Sequence, residues 1–119
     1  MLLLSTRLSI VAAIAVLAGC ASAPPGPPGK HLVYRDGNGN VVRQFDYPDD
    51  AFCRRVESMA GRSARCQPES ATGMQARATL RYNPPGVIVH GHYADMARCR
   101  ADTSSMSPGV ELVNGCTAQ

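Results

Sequence analysis

The sequence predicts an α+β domain, in which a small antiparallel sheet carries one short helix. Two observations support this class. Several short runs between residues 31 and 113 alternate apolar and polar side chains or are rich in β-branched residues, and Gly, Pro, Asn and Asp separate them. One segment among these runs instead repeats its apolar residues with helical spacing. We expect four or five strands in the sheet.

The first two strands are predicted by residues 31–47, which read HLVYR-DGNGN-VVRQFDY. Two β-prone runs flank five turn-forming residues, a pattern typical of a β-hairpin. The turn also places oxygen-bearing side chains at positions 1, 3 and 5 of a calcium-loop pattern. However, Val41 stands where that loop needs Gly, and Tyr47 stands where it needs Glu. We therefore interpret the segment as a turn.

A short helix is predicted after Pro48. Asp49 or Asp50 would cap its N-terminus, and Gly61 would end it. The apolar residues that recur at i, i+4 and i+7 are Phe52, Val56 and Met59. Because this spacing puts them on one face, we expect them to pack on the sheet.

The remaining strands follow this helix. Residues 74–82 alternate without interruption, which is the strongest strand pattern in the chain. After a turn, residues 87–93 form a strand that is expected to run antiparallel to the previous one. Residues 94–100 fit either a helical turn or a continued strand, and residues 110–113 form a short final strand.

The N-terminus carries the most specific motif of the chain. Residues 8–18 are apolar except for Ser9, a length that fits the hydrophobic region of a signal peptide and is shorter than the roughly 20 residues of a membrane span. The run ends in Leu17-Ala18-Gly19-Cys20, which resembles the lipobox of bacterial lipoproteins. This resemblance implies a signal peptide over residues 1–19 and a diacylglyceryl group on the Cys20 thiol. Residue 21 is Ala rather than Asp, which in that family implies routing to the outer membrane.

A spacer is predicted between the lipid anchor and the domain. Residues 20–30 are rich in Pro and Gly, cannot form a helix and favour an extended polyproline II conformation. The stretch PPGPPG gives two collagen-like triplets, too few for a triple helix. We therefore expect a lipidated cysteine and spacer over residues 20–30 and one small α+β domain over residues 31–119.

The cysteines indicate two disulfide bonds. The chain has five cysteines, and the lipobox resemblance assigns one of them, Cys20, to the lipid. An exported domain is in an oxidising compartment, so the other four can pair in any of three connectivities. We expect the local pairing, Cys53–Cys66 and Cys99–Cys116. A zinc site built from the same thiolates is disfavoured because the chain contains no C-x-x-C motif.

The charged residues do not indicate a nucleic-acid partner. The chain has 12 Lys and Arg residues against 9 Asp and Glu residues, which gives a formal net charge of +3. The two signs are interspersed, and the sequence has neither a Lys/Arg run nor a basic–aromatic motif. We interpret the arginines as a solvated surface; weak contact with anionic lipid headgroups or envelope polymers is the alternative.

His90 and His92 are the weak candidates for a metal site. They stand at i and i+2 of a predicted strand, so both side chains point to one face. A site would need a third ligand from elsewhere in the chain, such as His31 or Asp95. The apolar residues of this strand take the other face, and we therefore expect the histidines to face solvent without a metal.

No catalytic motif indicates an enzyme. The sequence lacks a G-x-S-x-G elbow and an H-E-x-x-H motif, its acidic residues are scattered, and no cofactor is expected. We expect a non-enzymatic lipoprotein of the cell envelope, anchored by its N-terminal lipid at the periplasmic face of the outer membrane. Its role would be structural, or it would bind an envelope protein or polymer.

Two alternative functions stay open. The first is a disulfide-stapled inhibitor of an incoming enzyme, which would act through an exposed loop at residues 83–86 or 103–109. The second is a periplasmic metal-binding protein that uses His90 and His92.

A faint internal similarity surrounds the cysteines. Cys53-Arg54 precedes Ser58-Met59, and Cys99-Arg100 precedes Ser105-Met106. Because the spacings differ, the sequence does not predict a repeat.

Overall fold

One antiparallel sheet of six strands carries two helices on one of its faces. The computed structural model describes residues 29–119. The elements in chain order are β1 (His31–Arg35), β2 (Val41–Asp46), α1 (Asp50–Ala60), β3 (Ala64–Gln67), β4 (Ala76–Tyr82), β5 (Val87–Tyr93), α2 (Met96–Thr103) and β6 (Val110–Ala118). The predicted signal peptide, the lipidation of Cys20 and the spacer up to residue 28 lie outside the described residues.

The α+β class is confirmed, but residues 29–119 form two helices and six strands, where the sequence predicts one helix and four or five strands. The strands lie in the order β3-β1-β2-β5-β4-β6. The predicted single helix is corrected to two, because residues 96–103 form α2. Asp95 caps this helix by accepting a hydrogen bond from the Arg98 N–H at 2.7 Å. Of its residues only Cys99 is buried, so α2 has no apolar stripe that helical periodicity could reveal.

The face of the sheet beneath the helices, called the helix face, holds the apolar core. Leu32 of β1, Phe45 of β2, Leu80 of β4 and Tyr93 of β5 are each at most 8% exposed. The strand cysteines reach the helices from this face. The two bonds are the expected local pairs, Cys53–Cys66 between α1 and β3 and Cys99–Cys116 between α2 and β6.

Helix α1 turns a slightly different side to the sheet than its periodicity predicts. Asp49 caps it by accepting from the Phe52 N–H at 2.7 Å, and Gly61 ends it at a φ of +82°. Cys53 is its one fully buried residue, whereas Met59 is 78% exposed. The expectation that Met59 packs on the sheet is therefore wrong. The contact with the sheet instead includes Cys53, which is buried and bonded to Cys66 of β3.

The described residues form two ββαβ halves with the same topology. The first half is β1-β2-α1-β3 and the second is β4-β5-α2-β6. The first two strands of each half pair in the same register. Leu32 pairs with Phe45 in the first half, and Ala78 pairs with Gly91 at the equivalent positions of the second. At the same offset the sequences YPDDAFCR and YADMARCR share a Y-x-D-x-A-x-C-R pattern, which begins at Tyr47 and at Tyr93. In each half the Asp caps the helix and the Cys forms the disulfide.

Candidate functional site

The face of the sheet away from the helices, called the open face, carries a polar network centred on Asp46. His31 Nδ1 donates a hydrogen bond to Asp46 Oδ1 at 2.6 Å, and His92 Nε2 donates to Asp46 Oδ2 at 2.9 Å. The Gln44 amide also donates to Oδ1, at 2.7 Å. The alternation of β2 places Gln44 and Asp46 on this face, because Phe45 between them belongs to the core.

Part of this network is sealed from water by the loop that joins β3 to β4. Gln44 is fully buried. Its Nε2 donates to Ser70 Oγ at 3.0 Å, and its Oε1 accepts from the Ala71 N–H at 2.6 Å. The loop therefore fixes the orientation of the Gln44 amide, which donates to Asp46.

The network stabilises an ionised Asp46 and a protonated His92. Burial alone would raise the pKa of the Asp46 carboxyl, but hydrogen bonds from His92, His31 and Gln44 hold it well below its ordinary value. The hydrogen bond to Asp46 raises the pKa of His92 above its ordinary value, against the opposing effect of burial. His92 Nδ1 also lies 2.6 Å from Gln119 Oε1. Both ring nitrogens thus face acceptors, as an imidazolium requires.

The two candidate metal ligands share the open face but differ in their surroundings. His90 is exposed, as expected. His92 is not simply solvent-facing, because its side chain is only 20% exposed and contacts Asp46. Within residues 29–119, no group of three or more His, Cys, Asp or Glu side chains is placed to hold a metal ion.

Two adjacent hollows lie on the open face between β2, β5, β4 and β6. The first, about 270 Å³ in volume, includes Asp46, Arg77, Thr79, His90 and His92 in its lining; we call it the basic hollow. The second, about 400 Å³, shares Arg77, Thr79 and His90 with the first and extends to β6. Two rows of register-paired residues run across these strands: Gln44–His92–Arg77–Thr117 and Asp46–His90–Thr79–Asn114.

A cleft of about 300 Å³ lies on the helix face, where the sheet meets the end of α2. Its lining includes Tyr34, Arg43, Tyr82, Tyr93, Asp102 and Met106. Arg43 donates to Asp102 Oδ2 at 2.7 Å, and its guanidinium lies 4.3 Å from the centre of the Tyr34 ring. The charge of Arg43 is therefore neutralised by Asp102 and partly covered by an aromatic ring.

Two polar atoms at this cleft are buried without a hydrogen-bond partner among residues 29–119. They are the Tyr93 hydroxyl and Arg43 Nε, and the two residues face each other directly across β2 and β5. Burial raises the pKa of Tyr93 to about 12. A buried polar group without a hydrogen-bond partner lowers the stability of a fold by about 1–3 kcal/mol. The Tyr93 hydroxyl therefore does not stabilise the domain.

The two loops considered for an inhibitory role meet at one end of the sheet. The Asn83 N–H donates to the Gly109 carbonyl at 2.7 Å. Gly109 has a φ of +84°, and a Cβ there would lie 2.6 Å from the Asn83 carbonyl oxygen, so glycine is required at this contact. Ser105 and Ser107 of the second loop line the cleft. The two loops thus form one surface beside the cleft.

The sequence identified the two histidines and His31, which shares Asp46 with His92, but not Asp46 or Arg77. Asp95, the other suggested ligand, instead caps α2. Asp46 and Arg77 are predicted only as strand residues, and nothing in the local sequence marks them. The signal that could find them is the register between β2, β5 and β4, which brings residues from distant positions into the same row.

Comparisons with protein-family models, with curated proteins and with solved structures found no match to this chain.

Neither of the two helices within residues 29–119 is long and apolar enough to cross a membrane.

Proposed function

We propose that this protein is a lipoprotein of the cell envelope whose domain acts by binding an envelope component. The lipobox Leu17-Ala18-Gly19-Cys20 supports the lipid anchor, and Ala21 supports routing to the outer membrane. The two disulfides, which need an oxidising compartment, support export.

The observation that carries this proposal is the short distance along the chain between the anchor and the fixed part of the domain. Gly29 is buried against the backbone of Gln67 and Pro68, where any Cβ would collide. The Tyr47 N–H donates to the Lys30 carbonyl at 2.9 Å. Only residues 21–28 therefore separate Cys20 from the domain, a reach of about 25 Å in polyproline II geometry. Such a tether would confine the domain to a layer close to the membrane and raise its effective concentration there.

The chemistry of the open face supports binding rather than catalysis. His92 uses one ring nitrogen on Asp46 and the other on Gln119. Asp46 accepts from three side chains. A general base needs a ring nitrogen or a carboxylate oxygen that can reach the substrate, and those of His92 and Asp46 are already engaged. His90 keeps an exposed imidazole, which can bind a ligand directly.

The anchor is tested by replacing Cys20. Cells that express the wild type or Cys20→Ala are labelled with an alkyne analogue of palmitate and fractionated. We expect label and membrane association for the wild type, and loss of both for Cys20→Ala. Ser22→Ala is the matched control, because it changes the same segment but keeps the thiol. An unlabelled wild type would overturn the anchor.

The binding role is tested separately by crosslinking in living cells. A tagged wild type should capture one reproducible envelope component, and Cys20→Ala should lose it, because the untethered domain no longer stays near the membrane. Equal capture by both forms would show that anchoring does not direct binding. An absence of any crosslinked component would remove the binding role.

A further inference from the structure

We propose that the basic hollow binds a phosphate group carried by an envelope component. This inference rests on the binding role proposed above and names the chemistry that the domain recognises. The hollow lies at the centre of the open face, between the two halves of the domain.

The first argument is charge. Arg77 makes no side-chain hydrogen bond or ion pair within the part of the chain that the structure describes, and it is exposed. It stands directly opposite His92 in the register of β4 and β5. Like charges in directly opposite positions destabilise a pair of strands. The one carboxylate in the hollow, Asp46, is already held by His31, His92 and Gln44. The positive charge of Arg77 therefore has no negative partner in the hollow, and a bound anion would supply one.

The second argument is the number of donors around the hollow. Arg77 offers a guanidinium, and His90 offers an imidazole that has no side-chain partner among residues 29–119. Thr79 pairs with His90 across the strands and adds a hydroxyl. Asn114 and Thr117 line the adjoining hollow and add an amide and a second hydroxyl. His92 has both ring nitrogens engaged, so it supplies positive charge rather than a direct hydrogen bond.

These donors fit phosphate better than a metal ion. A phosphate presents several acceptor oxygens, and guanidinium, imidazole and hydroxyl groups are the side chains that donate to them. A metal ion at the same place would meet Arg77 and a His92 that is bound on both nitrogens. The hollow and its neighbour, about 270 and 400 Å³, have room for a phosphate together with the group that carries it.

The test uses the wild-type protein as it is purified from cells, in detergent micelles, titrated with inorganic phosphate. The imidazole proton signals of His90 and His92 are followed by NMR. We expect a saturable shift of both signals, and Arg77→Gln should weaken binding about tenfold or more, because it removes a charge-assisted hydrogen bond. His90→Gln is a second variant and should weaken binding severalfold while the His92 signal still reports on the site.

Arg81→Gln is the matched control. Arg81 lies on β4 like Arg77, is also exposed, and is paired with Glu111 at 3.5 Å. Its replacement should change phosphate affinity by less than about twofold, since Arg81 is not in the lining of either hollow and lies beside Glu111. Equal losses for Arg77→Gln and Arg81→Gln would overturn the site, because they would show general attraction to a basic surface.

Two further titrations identify the molecule that carries the phosphate and test whether the hollow binds a metal ion instead. Displacement of inorganic phosphate by phosphatidic acid in the micelles would assign the site to a lipid headgroup, and its absence would assign it to a soluble or polymer-borne phosphate. No saturable phosphate shift, or saturation by zinc alone, would overturn the proposal. The phosphate titration is read at His90 and His92 and does not require a lipid on Cys20, so its failure is distinct from failure of the anchor.

Discussion

Phe45 and Gly91 face each other across the central pair of strands, and they occupy the same position in the two halves of the domain. A pseudo-twofold axis therefore passes between them, normal to the sheet. Phe45 has a large ring and Gly91 has no side chain, so the two residues are complementary in size. A Cβ on Gly91 would lie 3.3 Å from the Phe45 ring and 3.1 Å from the ring and hydroxyl of Tyr93. The symmetry of the backbone is thus combined with an asymmetric packing of side chains at the axis.

Gly91→Ala is expected to destabilise the domain. The new methyl group would press on the buried rings of Phe45 and Tyr93, and overpacking of this kind costs about 1–3 kcal/mol. The free energy of unfolding in urea measures the effect. Gly115→Ala is the control, because Gly115 is also a strand glycine, but a Cβ added there would meet no atom within 4 Å. Equal stability of the two variants would show that the axis is not tightly packed.

Removal of the Tyr93 hydroxyl is expected to leave stability unchanged or to raise it by up to about 1 kcal/mol, because this buried group has no hydrogen-bond partner among the described residues. The matched variant is Tyr47→Phe. Tyr47 is the equivalent residue of the first half, and its hydroxyl lies 3.2 Å from that of Tyr82. Its loss should cost about 1 kcal/mol. Thermal unfolding of both variants compares the two halves directly. A clear loss of stability in Tyr93→Phe would mean that the hydroxyl is bonded.

Each disulfide should contribute about 3 kcal/mol, because each closes a loop of similar length, with sequence separations of 13 and 17 residues. Replacing Cys53 and Cys66 together by Ala, or Cys99 and Cys116 together, should therefore lower the urea midpoint by nearly the same amount. An alkylation assay without reduction checks that these four cysteines are disulfide-bonded in the native protein. Native protein that incorporates label at any of these four cysteines would contradict the assigned pairs.

The ion pair between Asp46 and His92 should make stability depend on pH. The lowered pKa of Asp46 gives stability that is present above its ordinary value of 3.8 and lost as the pH falls through the folded value. The raised pKa of His92 gives stability that is present below its ordinary value of 6.5 and lost as the pH rises through the folded value. The pair is therefore strongest between these two ordinary values.

This dependence is measured by urea unfolding at about pH 5.5 and pH 9, relative to His92→Gln, which keeps a hydrogen-bonding side chain without the charge. The wild type should lose about 1 kcal/mol more than the variant between the two conditions. The groups that face His92 are Asp46 of β2, Arg77 of β4 and Gln119 after β6. His90→Gln is the control and should follow the wild type. Identical pH profiles for the wild type and His92→Gln would refute the ion pair.

Features set by local patterns could be predicted from the sequence. The alternation of residues 74–82 predicts β4, and the turn DGNGN predicts the first hairpin, because both depend on neighbouring residues. The spacing of the cysteines also predicts the correct pairs. Helix α2 could not be predicted in this way, since a cap at Asp95 and one buried cysteine fix it rather than an apolar stripe.

Features set by the meeting of distant strands could not be predicted. The charge cluster of the open face exists only once β2 lies beside β5, and no local pattern specifies that pairing. The repeat was visible in principle as Y-x-D-x-A-x-C-R, but the cysteine spacings conceal it. The loop between α2 and β6 is longer than the one between α1 and β3. The two cysteines of each half are therefore separated by different numbers of residues, 13 in the first half and 17 in the second.

The four cysteines within residues 29–119 pair in chain order, first with second and third with fourth, which bears on how the bonds form. A polypeptide that crosses a membrane from its N-terminus presents Cys53 and Cys66 before Cys99 and Cys116. If the chain is exported as proposed, an oxidase that joins thiols in their order of emergence would produce the native bonds directly. Such a chain would need no isomerase to exchange wrong pairs, and its first ββαβ half would be sealed before the second half emerges.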